Sequence, residues 1–246
     1  MRRILPHLPT LGVLLMVGSL VGSPTHQEAP VRAQLQARRY TTLSAELGAK
    51  VAVLPFAEGD RFAAGDLLAA LDDALPRAQL QRAEAELQAA RAALSSNQAL
   101  EKLSSVGKVE LEQSRAGVAR AEAEVSAAQS LLAKCRMTAP FAGRIAEQKV
   151  RELQYVQPGQ ALLDILDDRV LELELIVPSR WLSWLREGTA FSVTIDETGR
   201  AYPAKVSRAG ARVDPVSQTL KVTAAIDGHY PELLAGMSGE VSLSQH

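Results

Sequence analysis

Apolar and polar positions alternate in different ways along the chain, and in the middle they follow a seven-residue repeat. Leucine and valine recur every seventh residue in two successive segments, at Leu80, Leu87 and Leu94 and then at Leu111, Val118, Val125 and Leu132. Alanines occupy the companion heptad positions, as coiled-coil helices require. Gly107 lies between the segments and marks a reversal. The pattern predicts an antiparallel α-helical hairpin over residues 75–135, with Pro76 in its first turn.

Two similar β-rich segments flank this hairpin. Gly65 precedes Leu68 and Leu71 with the same spacing as Gly159 precedes Leu162 and Ile165. Each segment is about thirty residues long, which is too short to bury its own apolar face. We therefore expect residues 34–74 and 136–168 to close one β-sandwich together, with the hairpin leaving and returning at one end.

Small and rigid residues punctuate these segments. We interpret seven of them as structural turns: Gly48, Gly59, Gly65, Pro140, Gly143, Gly159 and Gly236. The glycines are expected where tight turns need a positive φ, with Gly48 and Gly143 each opening a strand. Pro140 is expected to end the second helix of the hairpin.

The last third of the chain, residues 169–246, alternates with period two. Leu171, Leu173 and Leu175 fall on one face of a predicted strand, and glutamates fall on the other. Further short strands and turns predict a small antiparallel β-barrel. A short helix carrying Trp181, Trp184 and Leu185 is expected to close one end of it.

Composition and charge exclude some classes of protein. The chain has 246 residues, 47% of them hydrophobic, and a net charge of −1 at pH 7. These values are typical of a folded, soluble protein and exclude a strongly basic nucleic-acid binder. The single cysteine, Cys135, excludes an intrachain disulfide and is interpreted as a buried apolar residue.

Catalytic patterns are missing from the sequence. The four histidines, His7, His26, His229 and His246, are scattered, and no Ser/His/acid or metal-ligand spacing occurs. The carboxylates that end the two β-rich segments, Asp72, Asp73, Asp167 and Asp168, are interpreted as solvated strand ends. We expect no enzyme activity, no metal and no cofactor.

Residues 1–33 predict an export signal. Arg2 and Arg3 precede an apolar run of about eleven residues from Leu11 to Val21, which is too short to span a bilayer. The cleavage site stays open, since Val31-Arg32-Ala33 has the right form but lies far from the run. An uncleaved anchor is the minor alternative.

Four segments in this order resemble the periplasmic adaptor subunits, or membrane fusion proteins, of the HlyD-like family in tripartite efflux pumps. They are AEGDRFAAGDLLAALDD, TAPFAGRIAEQKVRELQYVQPGQALLDILDD, DPVSQTLKV and LLAGMSGEVSL. The resemblance implies a mainly β fold: a split lipoyl-like sandwich, an inserted helical hairpin and an antiparallel barrel. It also makes Gln34 to Tyr40 a candidate barrel strand.

The resemblance implies a non-enzymatic role in the periplasm, at the inner membrane. Adaptors join an inner-membrane efflux transporter to an outer-membrane channel and assemble into a ring, a trimer or a hexamer. The implied channel contact is the hairpin tip: Leu103, Val106, Gly107, Lys108, Val109 and Glu110. Similar members place an arginine four residues before the tip leucine and a serine seven after it, where this chain has Ala99 and Glu110.

Several alternatives stay open. The apolar tip residues either meet another protein or only cap the seam of their own hairpin. A resistance-nodulation-division (RND) transporter is favoured as partner, by similarity, over an ABC-type exporter or secretion system. A lipoyl or biotinyl carrier would share the β fold, but it needs a lysine displayed at the turn that the hairpin replaces.

Overall fold

The computed structural model describes residues 31–103 and 107–242, so the predicted export signal before Val31 lies outside the described residues. The fold is mainly β with one helical hairpin, as the sequence predicted. Its elements in chain order are β1 (Val31–Ala37), β2 (Tyr40–Ser44), β3 (Ala49–Val53), β4 (Arg61–Phe62), β5 (Leu67–Leu71), α1 (Ala74–Lys102), α2 (Lys108–Ala133), β6 (Arg136–Thr138), β7 (Gly143–Gln148), β8 (Tyr155–Val156), β9 (Ala161–Leu166), β10 (Leu171–Pro178), a 3-10 helix (Ser179–Ser183), β11 (Ala190–Ile195), β12 (Arg200–Asp214), β13 (Thr219–Ile226) and β14 (Ser238–Ser242).

The two helices pack along the predicted heptad seam. Ala83, Leu111 and Ala121 are buried in it, and the other heptad leucines and valines are partly buried. Residues between the seam positions are exposed almost throughout, so the period of burial is the period of the sequence. Because α2 ends at Ala133 and β6 follows, Pro140 does not end the helix. It lies in the loop between β6 and β7, and that prediction was wrong.

The sandwich is built from both flanking segments at once. One sheet has the strand order β2-β9-β7-β4 and the other has the order β6-β5-β3-β8. Each sheet therefore takes strands from before and after the hairpin, which confirms that the two segments close one body. Its core is a single cluster that includes Val51, Leu68, Leu162 and Ile165, all of them fully buried.

The two halves of the sandwich are related by a fixed offset of 94 residues (159 − 65). Leu153 N–H donates to Val51 O, and Gly59 N–H donates to Ile145 O, each bond being the counterpart of the other. The strand pairings β3–β5 and β7–β9 also carry equivalent register shifts. One lies between Val51 and Val53, and the other between Ile145 and Glu147, 94 residues later. A pseudo-twofold axis thus relates the site where the hairpin leaves, after β5, to the site where the barrel follows, after β9.

The predicted turn glycines divide into two groups. Gly59, Gly65, Gly159 and Gly236 have positive φ, as expected. Gly48 and Gly143 do not, so a positive φ was the wrong reason for them. A Cβ at Gly143 would overlap the carbonyl oxygen of Leu166, and one at Gly48 would lie 3.0 Å from the Tyr155 hydroxyl. Gly143 is therefore required for close packing rather than for a turn. At Gly48 the exposed Tyr155 side chain would have to move by only a few tenths of an ångström to admit a Cβ.

One turn in the second half uses a residue that is poorly suited to it. Leu153 has a φ of 67° and is the counterpart of Gly59, whose φ is 87°. The left-handed region costs an L-residue with a side chain roughly 1–2 kcal/mol. Leu153 is also exposed, so burial of its side chain does not offset this strain.

The barrel closes from six strands in the order β1-β10-β13-β12-β11-β14. Trp181 and Leu185 are buried in its core and Trp184 packs against it, as the sequence predicted. The candidate strand from Gln34 to Tyr40 was shifted: β1 begins at Val31 and ends at Ala37, whereas Tyr40 begins a strand of the sandwich. Since Val31 and Ala33 are buried barrel residues, cleavage after Ala33 would remove part of the core.

Candidate partner-binding site at the hairpin tip

The tip of the hairpin exposes two large apolar side chains. Leu103 follows α1 and is 73% exposed, and Val109 lies in the first turn of α2 and is 72% exposed. Gly107 is the N-cap of α2, with an extended backbone that accepts hydrogen bonds from Glu110 N–H and Leu111 N–H. Val106 lies outside the described residues.

The seam of the hairpin is closed by a different residue. Leu111 is only 3% exposed and sits at the predicted heptad position, directly below the tip. The interpretation of Leu103 and Val109 as caps of their own seam is therefore wrong, because both side chains remain in solvent. Lys108 and Glu110 are exposed beside them.

A polar pair near the tip was not predicted. Asn97 Nδ2 donates to Ser114 Oγ at 2.6 Å, and Ser114 Oγ donates to Glu110 O at 3.1 Å. Asn97 is three residues after Leu94, and Ser114 is three after Leu111, so both occupy seam positions. Extending the alanine positions of the heptad by seven residues toward the tip, from Ala90 and from Ala121, would have found them. A polar pair inside an apolar seam fixes the register of the two helices, and with it the relative height of the tip side chains.

Farther from the tip, the charged residues of the hairpin form surface ion pairs. Arg91 Nη2 lies 2.8 Å from Glu122 Oε1 across the two helices, and Arg82 Nε lies 2.9 Å from Glu86 Oε1 along one of them. All four side chains are more than half exposed. Exposed pairs of this kind contribute little to stability, typically 0–1 kcal/mol. This part of the hairpin is a solvated face.

The four carboxylates singled out in the sequence do not form a shared site. Asp73 pairs with Arg77 at 2.6 Å, and Asp72 accepts a hydrogen bond from Ala74 N–H. The other two pair with arginines: Asp167 binds Arg169, and Asp168 lies 2.8 Å from Arg61. Asp167 is buried, so its interpretation as a solvated strand end was wrong. Hydrogen bonds from Arg169, opposed by burial, lower the pKa of Asp167. Within residues 31–103 and 107–242, no group of three metal-ligating side chains comes together.

Cys135 lies where the hairpin returns to the sandwich. It is fully buried in the sandwich core, and its thiol is near Leu131 O at 3.9 Å. Burial raises the pKa of this thiol, and the charges of Asp73 and Asp72 raise it further. Cys135 is thus a small buried core residue, as predicted.

The sandwich also buries one carboxylate that the sequence did not single out. Asp164 in β9 accepts hydrogen bonds from Thr42 Oγ1 at 2.6 Å and from Lys149 Nζ at 2.9 Å. Burial raises its pKa, but the hydrogen bonds from Thr42, Lys149 and Tyr40 outweigh burial, so the pKa of Asp164 is lowered. Its counterpart in the first half is Ala70, so the carboxylate at the centre of this network occurs only in the second half, although Thr42 and Tyr40 come from the segment before the hairpin.

Comparison with known families decides the identity of the fold. The family described as "RND MFP, barrel-sandwich hybrid domain" matches residues 39–168, more than half of the chain. The chain belongs to the RND membrane fusion proteins. The matched region covers the complete sandwich together with the hairpin inserted in it.

Named relatives agree with this membership. The nodulation protein NolF of Rhizobium meliloti is 27% identical over 236 residues, covering 90% of this chain and 64% of NolF. The multidrug resistance protein MdtA of Pectobacterium carotovorum is 26% identical over 209 residues, covering 76% of this chain and 51% of MdtA. The chain therefore spans about half to two thirds of the length of the curated relatives it matches.

Solved structures share the fold. A MacA-MexA chimeric protein carrying the Pseudomonas aeruginosa MexA α-hairpin domain superposes with a TM-score of 0.77 at 22% identity, covering 86% of this chain and 78% of the chimera. At that identity the likeness supports the architecture of sandwich, hairpin and barrel. Among the described residues, neither long helix is apolar enough to cross a lipid bilayer.

Proposed function

We propose that this membrane fusion protein is a periplasmic adaptor that links an inner-membrane efflux transporter to an outer-membrane channel. The observation that carries the proposal is the hairpin tip: Leu103 and Val109 are exposed at the far end of two helices of 29 and 26 residues. Helices of that length reach about 40 Å from the sandwich. A slender hairpin buries little core for its surface, so its use is to carry an apolar contact away from the body.

In this role the tip packs against helices of the outer-membrane channel. An exposed apolar pair at the end of a coiled coil suits a helical groove, into which apolar anchors insert. Val106 belongs to the same proposed contact. Lys108 and Glu110 flank it and supply charges that favour one orientation of the partner.

The β domains are proposed to face the transporter and neighbouring adaptors in a ring, a trimer or a hexamer. The family description supports an RND transporter rather than an ABC-type exporter. The name of MdtA, a multidrug resistance protein, supports small molecules as cargo. The chain carries out no chemical step in this function, and its location is the periplasmic side of the inner membrane.

The tip contact can be tested by charge substitution. In cells whose drug tolerance depends on this protein, Leu103→Asp and Val109→Asp should abolish crosslinking from the tip to the channel and lower drug tolerance. A buried unpaired carboxylate costs several kcal/mol, enough to lose a contact of this size.

Leu75 provides the matched control. Its exposed fraction, 69%, is close to those of Leu103 and Val109, but it lies at the base of α1. Leu75→Asp should leave crosslinking and tolerance unchanged. Full crosslinking and tolerance in both tip variants would contradict the proposed function.

A further inference from the structure

A cavity of about 200 Å³ lies where the sandwich meets the barrel. One side is lined by charged residues at the end of the sandwich, among them Arg61, Arg144 and Asp168. The other side is lined by barrel residues that include Leu233 and Leu234. The cavity thus combines a charged wall with a largely apolar wall, which also includes His229 and Tyr230.

Positive charge exceeds negative charge on the charged wall. A single oxygen, Oδ2 of Asp168, lies 2.8 Å from Arg61 Nη2 and 3.3 Å from Arg144 Nε. The Arg144 contact lacks hydrogen-bond geometry, and its buried Nε has no hydrogen-bond partner. One carboxylate therefore serves two guanidinium groups, and one positive charge is left without a counterion.

The third arginine does not change this balance. Arg169 also lines the cavity, but its guanidinium binds both oxygens of Asp167 at 2.8 Å. That pair is neutral as a unit. The uncompensated charge therefore resides with Arg61 and Arg144.

The size of the cavity limits its ligand. The cavity volume is about 200 Å³, whereas pockets for drug-sized molecules are typically about 300–1,000 Å³. Only a small molecule, such as one with a single ring system or a short chain, suits this volume. Guanidinium groups bind carboxylate, sulfonate and phosphate oxygens in preference to neutral acceptors.

We propose that this cavity binds a small organic anion with a compact apolar group. The anionic group contacts the guanidinium groups of Arg61 and Arg144, and the apolar group packs against Leu233 and Leu234. A ligand in this position touches both the sandwich and the barrel, which two chain segments join within residues 31–103 and 107–242. The site is independent of the hairpin tip and of the adaptor function proposed for it.

Binding is tested with three probes on the full chain by isothermal titration calorimetry. Naphthalene-2-sulfonate carries both features, 2-naphthol lacks the charge, and inorganic sulfate lacks the apolar group. The sulfonate should bind at least about 10-fold more tightly than either of the other two, because a charge-assisted hydrogen bond and apolar burial each contribute. Equal binding of 2-naphthol would overturn the proposal.

Two variants remove the two features separately. Arg61→Gln removes one guanidinium, and Leu234→Asp places a negative charge on the apolar wall. Each should weaken sulfonate binding by about 10-fold or more. Both side chains are substantially exposed, so the variants should fold, which thermal unfolding checks.

Matched controls separate the site from general charge effects. Arg32→Gln breaks a pair with Asp196 on the barrel in which the arginine is about as exposed as Arg61. Leu182 is 44% exposed where Leu234 is 48% exposed. Arg32→Gln and Leu182→Asp should bind the sulfonate as the unmodified chain does. Unchanged affinity in both Arg61→Gln and Leu234→Asp, or no sulfonate binding at all, would overturn the proposal.

A final arm distinguishes a free anion from a lipid headgroup. Vesicles of phosphatidylglycerol and of phosphatidylcholine are compared by co-sedimentation with the full chain and with Arg61→Gln. No difference that depends on Arg61 is expected. Arg61-dependent binding to the anionic vesicles, without binding of the sulfonate, would overturn the proposal in favour of a membrane surface.

Discussion

The two halves of the sandwich share a fold at a fixed offset, yet they differ where the chain leaves them. In the first half, β5 ends at Leu71 and the chain turns into α1. In the second half, β9 runs one residue further than its counterpart, and Leu166 pairs with Arg144. The same framework is thus followed by a helix at one site and by a short turn into the barrel strand β10 at the other.

That extra residue explains the glycine at position 143. The backbone of Leu166 lies over Gly143 so closely that a Cβ would overlap its carbonyl oxygen. The counterpart of Gly143 is Ala49, which carries a Cβ, and the counterpart of Leu166 is Asp72, which lies just beyond the end of β5. The difference teaches that the sequence of each half is adapted to what the chain does next, as well as to the shared core.

The largest change in stability is expected when each of these two positions receives the residue of its counterpart. Gly143→Ala should lower the free energy of unfolding by at least about 3 kcal/mol, because backbone atoms must move to admit the Cβ. Ala49→Gly should cost only about 1 kcal/mol, from the added freedom of the unfolded chain. Urea unfolding of both variants measures the difference.

Gly117 serves as the control for this comparison. It lies within α2, and nothing is within 4 Å of the place where its Cβ would be. Gly117→Ala should stabilise the protein by about 1 kcal/mol, because alanine is the better helix former. Equal losses of unfolding free energy in Gly143→Ala and Ala49→Gly would contradict a closer backbone approach at Gly143 than at Ala49.

The next largest effect should come from the polar network of the second half. Asp164→Asn removes the charge that binds Lys149 and Thr42, and should cost about 2 kcal/mol at pH 7. Since the pKa of Asp164 is lowered in the folded state, its contribution is present above the pKa of an unfolded aspartate, about 3.9, and is lost as the pH falls through the folded value. The gap between Asp164→Asn and the unmodified protein should therefore close in acid.

A surface ion pair gives the contrast for that pH profile. Lys205 lies 2.7 Å from Asp227, and both side chains are more than half exposed. Asp227→Asn should change the unfolding free energy by less than about 1 kcal/mol. If Asp164→Asn follows the same shallow profile as Asp227→Asn, the buried network does not stabilise the second half.

A smaller effect is expected at the turn where the halves hold different residues. Leu153→Gly relieves a left-handed φ and should stabilise the protein by about 0.5–1 kcal/mol, the relief being partly offset by glycine entropy. Gly59→Ala at the matched turn should destabilise it by about 1 kcal/mol, although no atom would contact the new Cβ. Thermal and urea unfolding measure both, and a stabilising Gly59→Ala would contradict the assignment of strain.

Much of this architecture could be predicted from sequence because its signals are local. The heptad sets the seam residue by residue, and the spacing from Gly65 to Leu71 recurs from Gly159 to Ile165. The role of Gly143 could not be predicted, because it depends on a backbone approach from Leu166, which is distant along the chain. Leu153 could have been found by extending the offset back from Gly159, which places it opposite Gly59.

The candidate tip was predicted only in part. Leu103 and Val109 were identified as apolar residues near a reversal, but the sequence left open whether they cap the seam. The position of Leu111 decides this, because its burial depends on how the helices meet. The partner of the tip stays a prediction, since its surface is not encoded in this chain.

The smallest effect tests what the halves share. Glu58 accepts a hydrogen bond from Gln148 N–H, and Glu152 accepts one from Leu54 N–H, both at 2.9 Å. Each glutamate satisfies a backbone donor of the opposite half, so the two bonds are counterparts across the pseudo-twofold axis. Glu58→Ala and Glu152→Ala should each cost about 0.5–1 kcal/mol in urea unfolding, and the double variant should cost the sum, because the two sites share no partner. Glu84→Ala on the exposed face of α1 should have no comparable cost. If the losses of unfolding free energy in Glu58→Ala and Glu152→Ala differ by more than about 1 kcal/mol, the symmetry of the backbone does not extend to its energetics.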